Sequence, residues 1–512
     1  MMNLTRLLLV IGLSLTLGAC GSDDTVSVAD ETGGTSSGGG SSSGGDAPSQ
    51  ERVLASDLAI TDIAAYQSVR VGLVSNGAPV NAPAAPLVAR KDVLVRVFVQ
   101  PQAGFQARSV TARLELSNSS GTYPLQEASF TVTRASTESN GNSTFNFFVD
   151  GEVLDGTGSF RVSLYEAEGV TSQGGDISQA TFPRGAGLGA FGEEPARRLR
   201  IVLVPVQYNA DGSGRLPDTS DAQIDRYREA FYAMFPASEV DISVRSAIAY
   251  NRAVEAYGTG WDTLLNEMAY LRYQDRVADD VYYYGIFSPA SSVYNYCSGG
   301  CVLGLSNLVQ DYRYAQGRVS IGLGFTGDES VNTMVHEVGH AHGREHAPCG
   351  LGGQPSDRYY PNNTGKIDDW GFDHRSSDLR SPGTYVDVMS YCSPSWISVY
   401  NYDALYTRFE NIDRLQRVMV VDDRDVDLPW PILIEQADGS LAWGRPIPQT
   451  VLPQNQERRT VEFSDANGQL LGATSAYYLR FSHLDGGFLM LNPEDIPAGT
   501  VKVLTDKATI EY

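Results

Sequence analysis

The alternation of apolar and polar residues marks the first folded part of the chain. Within residues 51–195, short runs alternate strictly, which is typical of strands with one buried face. Gly, Asn and Ser clusters separate these runs, which include 130–134, 144–149 and 160–165. Two runs are the clearest. One face of the first is formed by Val93, Val95, Val97 and Val99, and one face of the second by Val110, Ala112, Leu114 and Leu116. We predict an antiparallel, immunoglobulin-like β-sandwich over residues 51–195.

The pattern changes near Leu199. Residues 199–206 form a near-continuous apolar run, as expected for a strand buried on both faces. A helical stripe follows, with a capping box formed by Ser220 and Gln223 at its start and Pro236 after its end. Strands and helices then alternate, and we predict strands at 240–244, 281–287 and 318–323 and helices around 261–271 and 401–419. These elements predict one domain over residues 196–421.

The C-terminal part returns to short strands. Aromatic and β-branched runs at 460–463, 476–481 and 488–491 are separated by turn residues. They predict a small β domain over residues 422–512. The fold class expected for the whole chain is therefore α+β, with a mixed domain between two β domains.

The N-terminal sequence predicts an export signal followed by a tether. Arg6 precedes an apolar run over residues 7–17, which is too short to span a bilayer. The following Leu17-Gly18-Ala19-Cys20 resembles the bacterial lipobox, which implies a signal peptide over 1–20 and lipidation of Cys20. The alternative is an ordinary signal peptide that happens to end in Cys. Residues 21–50 are Ser, Gly, Thr and Asp with almost nothing apolar, which predicts a flexible tether.

These features predict an exported bacterial lipoprotein, anchored to a membrane through its lipid. In a Gram-negative source the location would be the outer membrane or the cell surface. The chain has 38 basic and 61 acidic residues and a formal charge of −23, which argues against nucleic acid or an anionic membrane surface as partner. We expect a monomer.

Four of the six His residues fall within the eleven-residue segment that begins at His336 and ends at His346. On a helix, His336 and His340 project from one face, so both imidazoles reach one tetrahedral metal ion. Gly343 can end the helix in a left-handed conformation and return His346 as a third ligand. Glu337 lies beside the first ligand. The segment predicts a catalytic Zn²⁺ site whose fourth position is open to water.

The pattern HExxHxxGxxH, followed by Asp387-Val388-Met389-Ser390-Tyr391, resembles the metzincin zinc peptidases. The resemblance implies that Met389 forms an apolar floor beneath the metal and that Tyr391 is a further ligand or an oxyanion donor. Ala347, after the third His, departs from the better-known branches. The surrounding runs 346–350 and 388–392 are most similar to bacterial lipoprotein metalloproteases related to mucin-cleaving enzymes of enteric bacteria.

A metzincin-like catalytic domain has a twisted mixed sheet, an active-site helix and a lower, loop-rich subdomain. The resemblance implies that the strand at 318–323 is an antiparallel edge strand, which binds an extended peptide by strand addition. Thr326 and Glu329 are spaced as a capping box that would start the active-site helix.

The remaining cysteines are Cys297, Cys301, Cys349 and Cys392, an even number suited to two disulfides in an exported chain. Three pairings are possible, and we favour Cys297 with Cys301 and Cys349 with Cys392. The alternative is that Cys349 or Cys392 supplies a zinc thiolate. Residues 51–195 contain no Cys, which excludes a propeptide there that blocks zinc with a thiolate.

Three other His residues lie outside the predicted ligand set. His342 is two positions from His340 and so points off the ligand face, as a surface group or a support for the ligands. His374 lies in the acidic loop 368–374, which is read as a solvated loop or, alternatively, as a calcium site. His483 is interpreted as structural.

The predicted function is a zinc-dependent endopeptidase that acts on extracellular proteins and, by the resemblance, on glycoproteins. Zinc would activate a water molecule and polarise the scissile carbonyl, with Glu337 as general base and Tyr391 as oxyanion donor. The alternative is a surface adhesin or glycan-binding lipoprotein with a catalytically silent, zinc-stabilised peptidase-like domain.

Overall fold

A computed structural model describes residues 52–170, 174–418, 429–449 and 451–512. The predicted signal peptide, Cys20 and the tether lie outside these ranges, as does the predicted domain end at Val421. Within the described ranges, no helix is both long and apolar enough to cross a membrane.

Two sheets that share an apolar core form the N-terminal part of the described chain. Their strands are β1 (Leu58–Tyr66), β2 (Arg70–Ser75), β3 (Ala78–Pro79), β4 (Val93–Pro101), β5 (Arg108–Asn118), β6 (Gly121–Thr122), β7 (Gln126–Val132), β8 (Phe145–Val149), β9 (Ser159–Glu166), β10 (Thr181–Phe182) and β11 (Gly189–Ala190). Short 3-10 turns occupy Gly141–Ser143 and Gly151–Val153. One sheet has the order β3-β2-β1-β4-β8 and the other β10-β9-β5-β6, with β7 paired to β5 and β11 to β9.

The alternation predicted from the sequence is confirmed in β5, whereas β4 is buried on both faces, because Leu94, Arg96 and Phe98 are buried as well. The four Val residues of β4 and the four apolar residues of β5 named above are at most 3% exposed. They face the other sheet because successive side chains of a strand point to opposite faces.

A mostly parallel sheet with helices follows. Its elements are β12 (Arg198–Tyr208), α1 (Asp221–Met234), β13 (Glu239–Val244), β14 (Ile248–Tyr250), α2 (Trp261–Gln274), β15 (Val281–Phe287), α3 (Val293–Tyr296), β16 (Gly304–Ser306), the 3-10 turn Ala315–Gly317, β17 (Val319–Leu323) and α4 (Asp328–Ala341). The strand order is β13-β12-β15-β17-β16, with β14 paired to β12. Ser220 caps α1 by accepting a hydrogen bond from the Gln223 amide, but the predicted capping box is incomplete, because the Ser220 amide donates to Asp218.

The prediction that the strand before the active-site helix is the antiparallel edge is wrong. That strand, β17, pairs parallel with β15 and antiparallel with β16, so β16 lies outside it. The edge strand is the three-residue segment Gly304–Ser306. A strand this short, containing glycine, shows too little alternation to be recognised from sequence.

One buried lysine joins the N-terminal sheets to α1. Lys91 is fully buried, and its ammonium donates to the carbonyls of Tyr232 and Phe235, each at 2.6 Å, and to the Ser68 hydroxyl at 3.1 Å. Phe235 is the C-cap of α1. A cation placed there satisfies carbonyls that have no partner within the helix and complements the helix dipole.

The segment after α4 consists mostly of loops. It contains β18 (Gly371–Asp373), β19 (Asp378–Arg380), β20 (Val386–Asp387), β21 (Ser395–Trp396) and α5 (Val399–Val418). Leu405, Phe409 and Ile412 of α5 are buried, as the predicted helical stripe requires, although Met419 lies outside the described residues.

The C-terminal part forms another sheet. Its elements are β22 (Pro429–Trp430), β23 (Ile432–Glu435), β24 (Leu441–Trp443), β25 (Ile447–Pro448), β26 (Arg458–Ser464), β27 (Leu470–Arg480), β28 (Gly487–Met490), the 3-10 turn Pro493–Asp495, β29 (Lys502–Leu504) and β30 (Thr509–Glu511). The strand order is β24-β23-β28-β27-β26-β29-β30, and β22 pairs separately with β25.

This last sheet shares a core with the parallel sheet. Trp430, Phe481 and Met490 belong to the same buried cluster as Trp261 of α2 and Ile321 of β17. The shared core fixes the loop between β27 and β28, residues 481–486, against the parallel sheet.

Candidate metal centre

Helix α4 carries the first two predicted ligands, and its start differs from the prediction. Its N-cap is Gly327, at a φ of 120°, and no side chain caps it there. The Thr326 hydroxyl instead donates to Asp218 at 2.6 Å. Gln223 of α1 accepts a hydrogen bond from the Gly327 amide at 3.1 Å. The capping box predicted from Thr326 and Glu329 is therefore wrong, because Asp218 engages the hydroxyl and another helix binds the amide.

The imidazoles of His336 and His340 converge as the helical spacing predicts. Their Nε2 atoms lie 3.0 Å apart. The Nδ1 atom of His336 is 2.7 Å from the Val388 carbonyl, and that of His340 is 2.6 Å from the Arg344 carbonyl. A carbonyl only accepts, so Nδ1 carries the proton in both rings and Nε2 presents a lone pair. This is the tautomer that binds a metal ion through Nε2.

His346 joins them after the chain reverses. Gly343 has a φ of 84°, and a Cβ placed there would lie 3.0 Å from the Val309 carbonyl, so this turn favours glycine. The reversal brings His346 Nε2 to 3.1 Å from His340 Nε2. The structure thus brings the three predicted ligands together, and the donor set fits a metal ion that prefers nitrogen, such as Zn²⁺.

The segment 387–391 lies under this cluster. Met389 is 1% exposed and packs on α4, since a Cβ on Gly339 would lie 2.5 Å from its Sδ. The Ala347 amide donates to the Met389 carbonyl at 2.9 Å. Tyr391 stays 41% exposed, with its ring 4.9 Å from that of His346. Met389 therefore occupies the floor, and Tyr391 borders the open side.

Glu337 is almost completely buried beside the ligands, at 2% exposure. Gly304 of the edge strand passes so close that a Cβ there would lie 2.5 Å from Glu337 Cγ. The Ser482 hydroxyl donates to Glu337 Oε2 at 3.3 Å. The carboxylate is thus held between the edge strand and the loop 481–486.

His483, interpreted from the sequence as structural, belongs to this centre. It offers a ligand nitrogen within 4.8 Å of those of the other three His residues. Its Nε2 lies 2.6 Å from Glu337 Oε1, and its Nδ1 contacts the Tyr391 hydroxyl. The sequence reasoning missed it because it lies in another sheet and has no motif around it.

The burial of the site keeps its imidazoles neutral. Desolvation, with a smaller contribution from the neighbouring His483, lowers the pKa of His336 to about 3 and that of His346 to about 2. Desolvation also holds the pKa of His340 well below its usual range. Burial raises the pKa of Tyr391, so its hydroxyl stays protonated and can donate. Neutral imidazoles are the form that binds metal.

One family model matches the part of the chain that contains this site. Residues 309–393 match Peptidase M66. The M66 match covers His336, Glu337, His340, His346 and Tyr391, and it points to a metallopeptidase. No curated protein matches the chain.

Two solved structures illustrate the structural matches. A candidate beta-galactosidase from Bacteroides fragilis is 15% identical over 47% of this chain and 35% of that chain, with a TM-score of 0.13. A calcium-binding mutant of Bacteroides uniformis beta-glucuronidase 2 is 8% identical over 45% of this chain and 29% of that chain, with a TM-score of 0.15. The chain spans about a third of the length of these proteins, and at such TM-scores neither carries an argument about fold or function.

Both favoured disulfides are present. Cys297 pairs with Cys301, and Cys349 pairs with Cys392 inside the M66 region. The alternative of a zinc thiolate is therefore wrong, because neither cysteine is free. A cleft of about 640 Å³ runs between the two disulfides, with Cys301 and Cys392 in its walls and His336 and Glu337 facing into it.

The other two His residues lie apart from the centre. His342 is not on the surface. It is 2% exposed and stacks on Tyr282, with ring centroids 4.0 Å apart, and its Nδ1 donates to the Val338 carbonyl at 2.7 Å. Burial lowers the pKa of His374 to about 4, and its ring packs edge-on against Phe372 at 5.0 Å. Both are packed as neutral aromatic rings.

Proposed function

We propose that this chain is a zinc-dependent endopeptidase. The observation that carries the proposal is the convergence of three His Nε2 atoms beside a buried carboxylate in a surface cleft. A purely structural zinc site needs no such carboxylate, whereas hydrolysis needs a general base within reach of the attacking water. The M66 match supports the same chemistry.

The residues of the chain supply the general base, its orientation and the oxyanion donor. When bound, zinc supplies Lewis acidity that activates water and polarises a carbonyl. Glu337 takes the proton of the attacking water and delivers it to the leaving amine. Its burial, and the hydrogen bond from Ser482, orient the carboxylate. The protonated Tyr391 hydroxyl at the cleft wall donates to the developing oxyanion.

The edge strand orients the substrate. Ser306 directs its amide and carbonyl away from β17, toward Ser482. Alternate residues of a strand direct their backbone amide and carbonyl to the same side. The amide and carbonyl of Gly304 therefore also point away from β17, toward the cleft. An extended peptide pairs with Gly304 and so lies across Glu337. Recognition through main-chain groups favours extended or unfolded segments over one particular sequence.

The finer parts of the proposed function rest on the sequence alone. They are the metzincin arrangement of the catalytic domain, extracellular proteins and glycoproteins as substrates, and a monomeric exported lipoprotein anchored through Cys20. The acidic balance of the chain supports a protein substrate over nucleic acid.

The test is cleavage of a denatured protein and of a mucin-like glycoprotein by the wild type and by Glu337→Gln. We expect the variant to retain one zinc ion per chain and to lose at least about a hundredfold in kcat/KM, because only the general base is removed. The matched control is Glu410→Gln, which changes an exposed glutamate of α5 outside the cleft. A zinc-loaded wild type that cleaves neither protein would favour the adhesin or glycan-binding alternative.

A further inference from the structure

We propose that His483 is a fourth protein ligand of the metal and that it holds the peptidase in a latent state until it is displaced. His483 comes from the loop 481–486 of the C-terminal sheet, 137 residues after His346 (483 − 346). The metal-binding part of the proposal stands on geometry alone, whereas the latency rests on the proposed function.

The four imidazole rings are arranged as a tetrahedron. Among His336, His340 and His346, the ring centroids lie 4.6, 5.4 and 4.5 Å apart. From His483 to the same three rings, the distances are 5.1, 5.1 and 4.9 Å. Four imidazoles bound tetrahedrally through nitrogens at 2.0–2.1 Å would have centroids about 5.2 Å apart. His483 is therefore nearly equidistant from the other three rings, at the fourth vertex.

The contact of His483 with Tyr391 is compatible with the tautomer that binds a metal ion through Nε2. The Tyr391 hydroxyl donates to Gln354 Oε1 at 2.9 Å and so accepts from His483 Nδ1. Nδ1 then carries the proton, as in His336 and His340. The Nε2 atom of His483 is buried and lies 2.6 Å from Glu337 Oε1, a separation at which the two atoms must share a proton or a metal ion. His483 offers a ligand nitrogen within 4.8 Å of those of the other three His residues, so it can join them at one metal ion.

This position is the one that hydrolysis needs for water. Glu337 Oε1 lies 2.6 Å from His483 Nε2, so the general base contacts the imidazole where it would contact its water. With His483 bound, four protein ligands surround the metal. A closed set of this kind is typical of structural sites, whereas catalytic sites keep one position open.

The edge strand β16, which pairs with substrate in the proposed function, also binds the loop 481–486 that carries His483. The Ser482 amide donates to the Ser306 carbonyl and the Ser306 amide to the Ser482 hydroxyl, both at 2.9 Å. The Leu308 amide donates to the Arg480 carbonyl at 3.0 Å. A peptide that pairs with Gly304 and extends along this edge competes with Ser482 for Ser306. Its binding would displace the neighbouring His483 and leave the position beside Glu337 to one water molecule.

The test compares the full-length wild type, His483→Ala and the control Asp485→Ala, which changes an exposed residue of the same loop. Each protein is loaded with Co²⁺, whose visible absorption reports its ligands, and acetohydroxamate is then added. We expect the hydroxamate concentration needed to change the Co²⁺ spectrum to be at least tenfold lower for His483→Ala than for the wild type and the control. We also expect Zn²⁺ affinity to fall at least tenfold in His483→Ala, while cleavage of a denatured protein rises at least tenfold.

Three outcomes have distinct meanings. Identical Co²⁺ spectra and Zn²⁺ affinities in the wild type and His483→Ala would overturn ligation. Unchanged spectra together with lost cleavage would overturn latency and assign His483 to substrate binding. A changed spectrum with no cleavage by either protein would support ligation and refute the peptidase function. His483→Asn repeats the comparison with a side chain of closer size, in case alanine lowers the melting temperature.

Discussion

Replacing Asp387 by alanine should destabilise the turn beneath the metal centre. Asp387 is completely buried, and its carboxylate accepts hydrogen bonds from the Met389 amide at 2.7 Å, the Ser398 amide at 2.9 Å and Asn401 Nδ2 at 2.8 Å. Alanine leaves all three donors without an acceptor. The turn also supplies the Val388 carbonyl that orients His336, so metal binding should respond as well.

The magnitude follows from those three donors. A buried donor that loses its partner costs about 1–3 kcal/mol, so three cost at least about 3 kcal/mol. Burial raises the pKa of Asp387, which means that removing the carboxylate also relieves part of its desolvation cost. Because these effects oppose each other, we expect a net loss of about 3 kcal/mol in the free energy of unfolding. A misplaced orienting carbonyl typically lowers metal affinity about 10- to 100-fold.

Urea unfolding and zinc titration measure the two effects. The matched control is Asp378→Ala, which removes a side chain that is 64% exposed and should change the free energy of unfolding by less than about 0.5 kcal/mol. The reasoning would be refuted if Asp387→Ala unfolded like this control and bound zinc like the wild type.

Two further predictions concern stability. Burial lowers the pKa of Lys91 to about 7 from an ordinary 10.5, so between these pH values the unfolded chain holds a proton that the folded chain has released. The difference in the free energy of unfolding between the wild type and Lys91→Met should therefore increase with pH, by roughly 2 kcal/mol from pH 7 to pH 9. Urea unfolding measures this difference, and a value that does not change with pH would contradict the prediction. Replacing both Cys349 and Cys392 by Ser opens a loop with a sequence separation of 43 and should cost about 4 kcal/mol, against about 2 kcal/mol for the Cys297 and Cys301 pair with its separation of 4. Urea unfolding of the two double variants checks this order, and equal losses would argue against it.

Features encoded in contiguous residues could be predicted. The alternation at Val93–Val99 and the stripe on α1 identified buried faces, because strand and helix periods fix which side chains share a side. His336, His340 and His346 lie within eleven residues, so helical spacing and one glycine turn were enough to bring them together.

Features that depend on distant parts of the chain were missed. Thr326 had the spacing of a capping box, but Asp218 lies within hydrogen-bond distance and engages its hydroxyl. The resemblance places the edge strand at 318–323, and Gly304–Ser306 goes unrecognised because three residues containing glycine give no periodic signal. His483 reaches the metal centre only because the C-terminal sheet packs on the parallel sheet through a shared core. A single sequence carries no local mark of such docking.

The buried contact of Lys91 has a consequence for how this chain can evolve. Its ammonium belongs to the N-terminal sheets, whereas two of the carbonyls that it binds belong to the end of α1. A recombination between related genes near residue 195 would separate the donor from its acceptors. A hybrid protein with an apolar residue at position 91 and this α1 would leave those carbonyls without a partner. A hybrid protein with Lys91 and a different helix in place of α1 would bury a charge without acceptors. The two parts of the chain should therefore be inherited together.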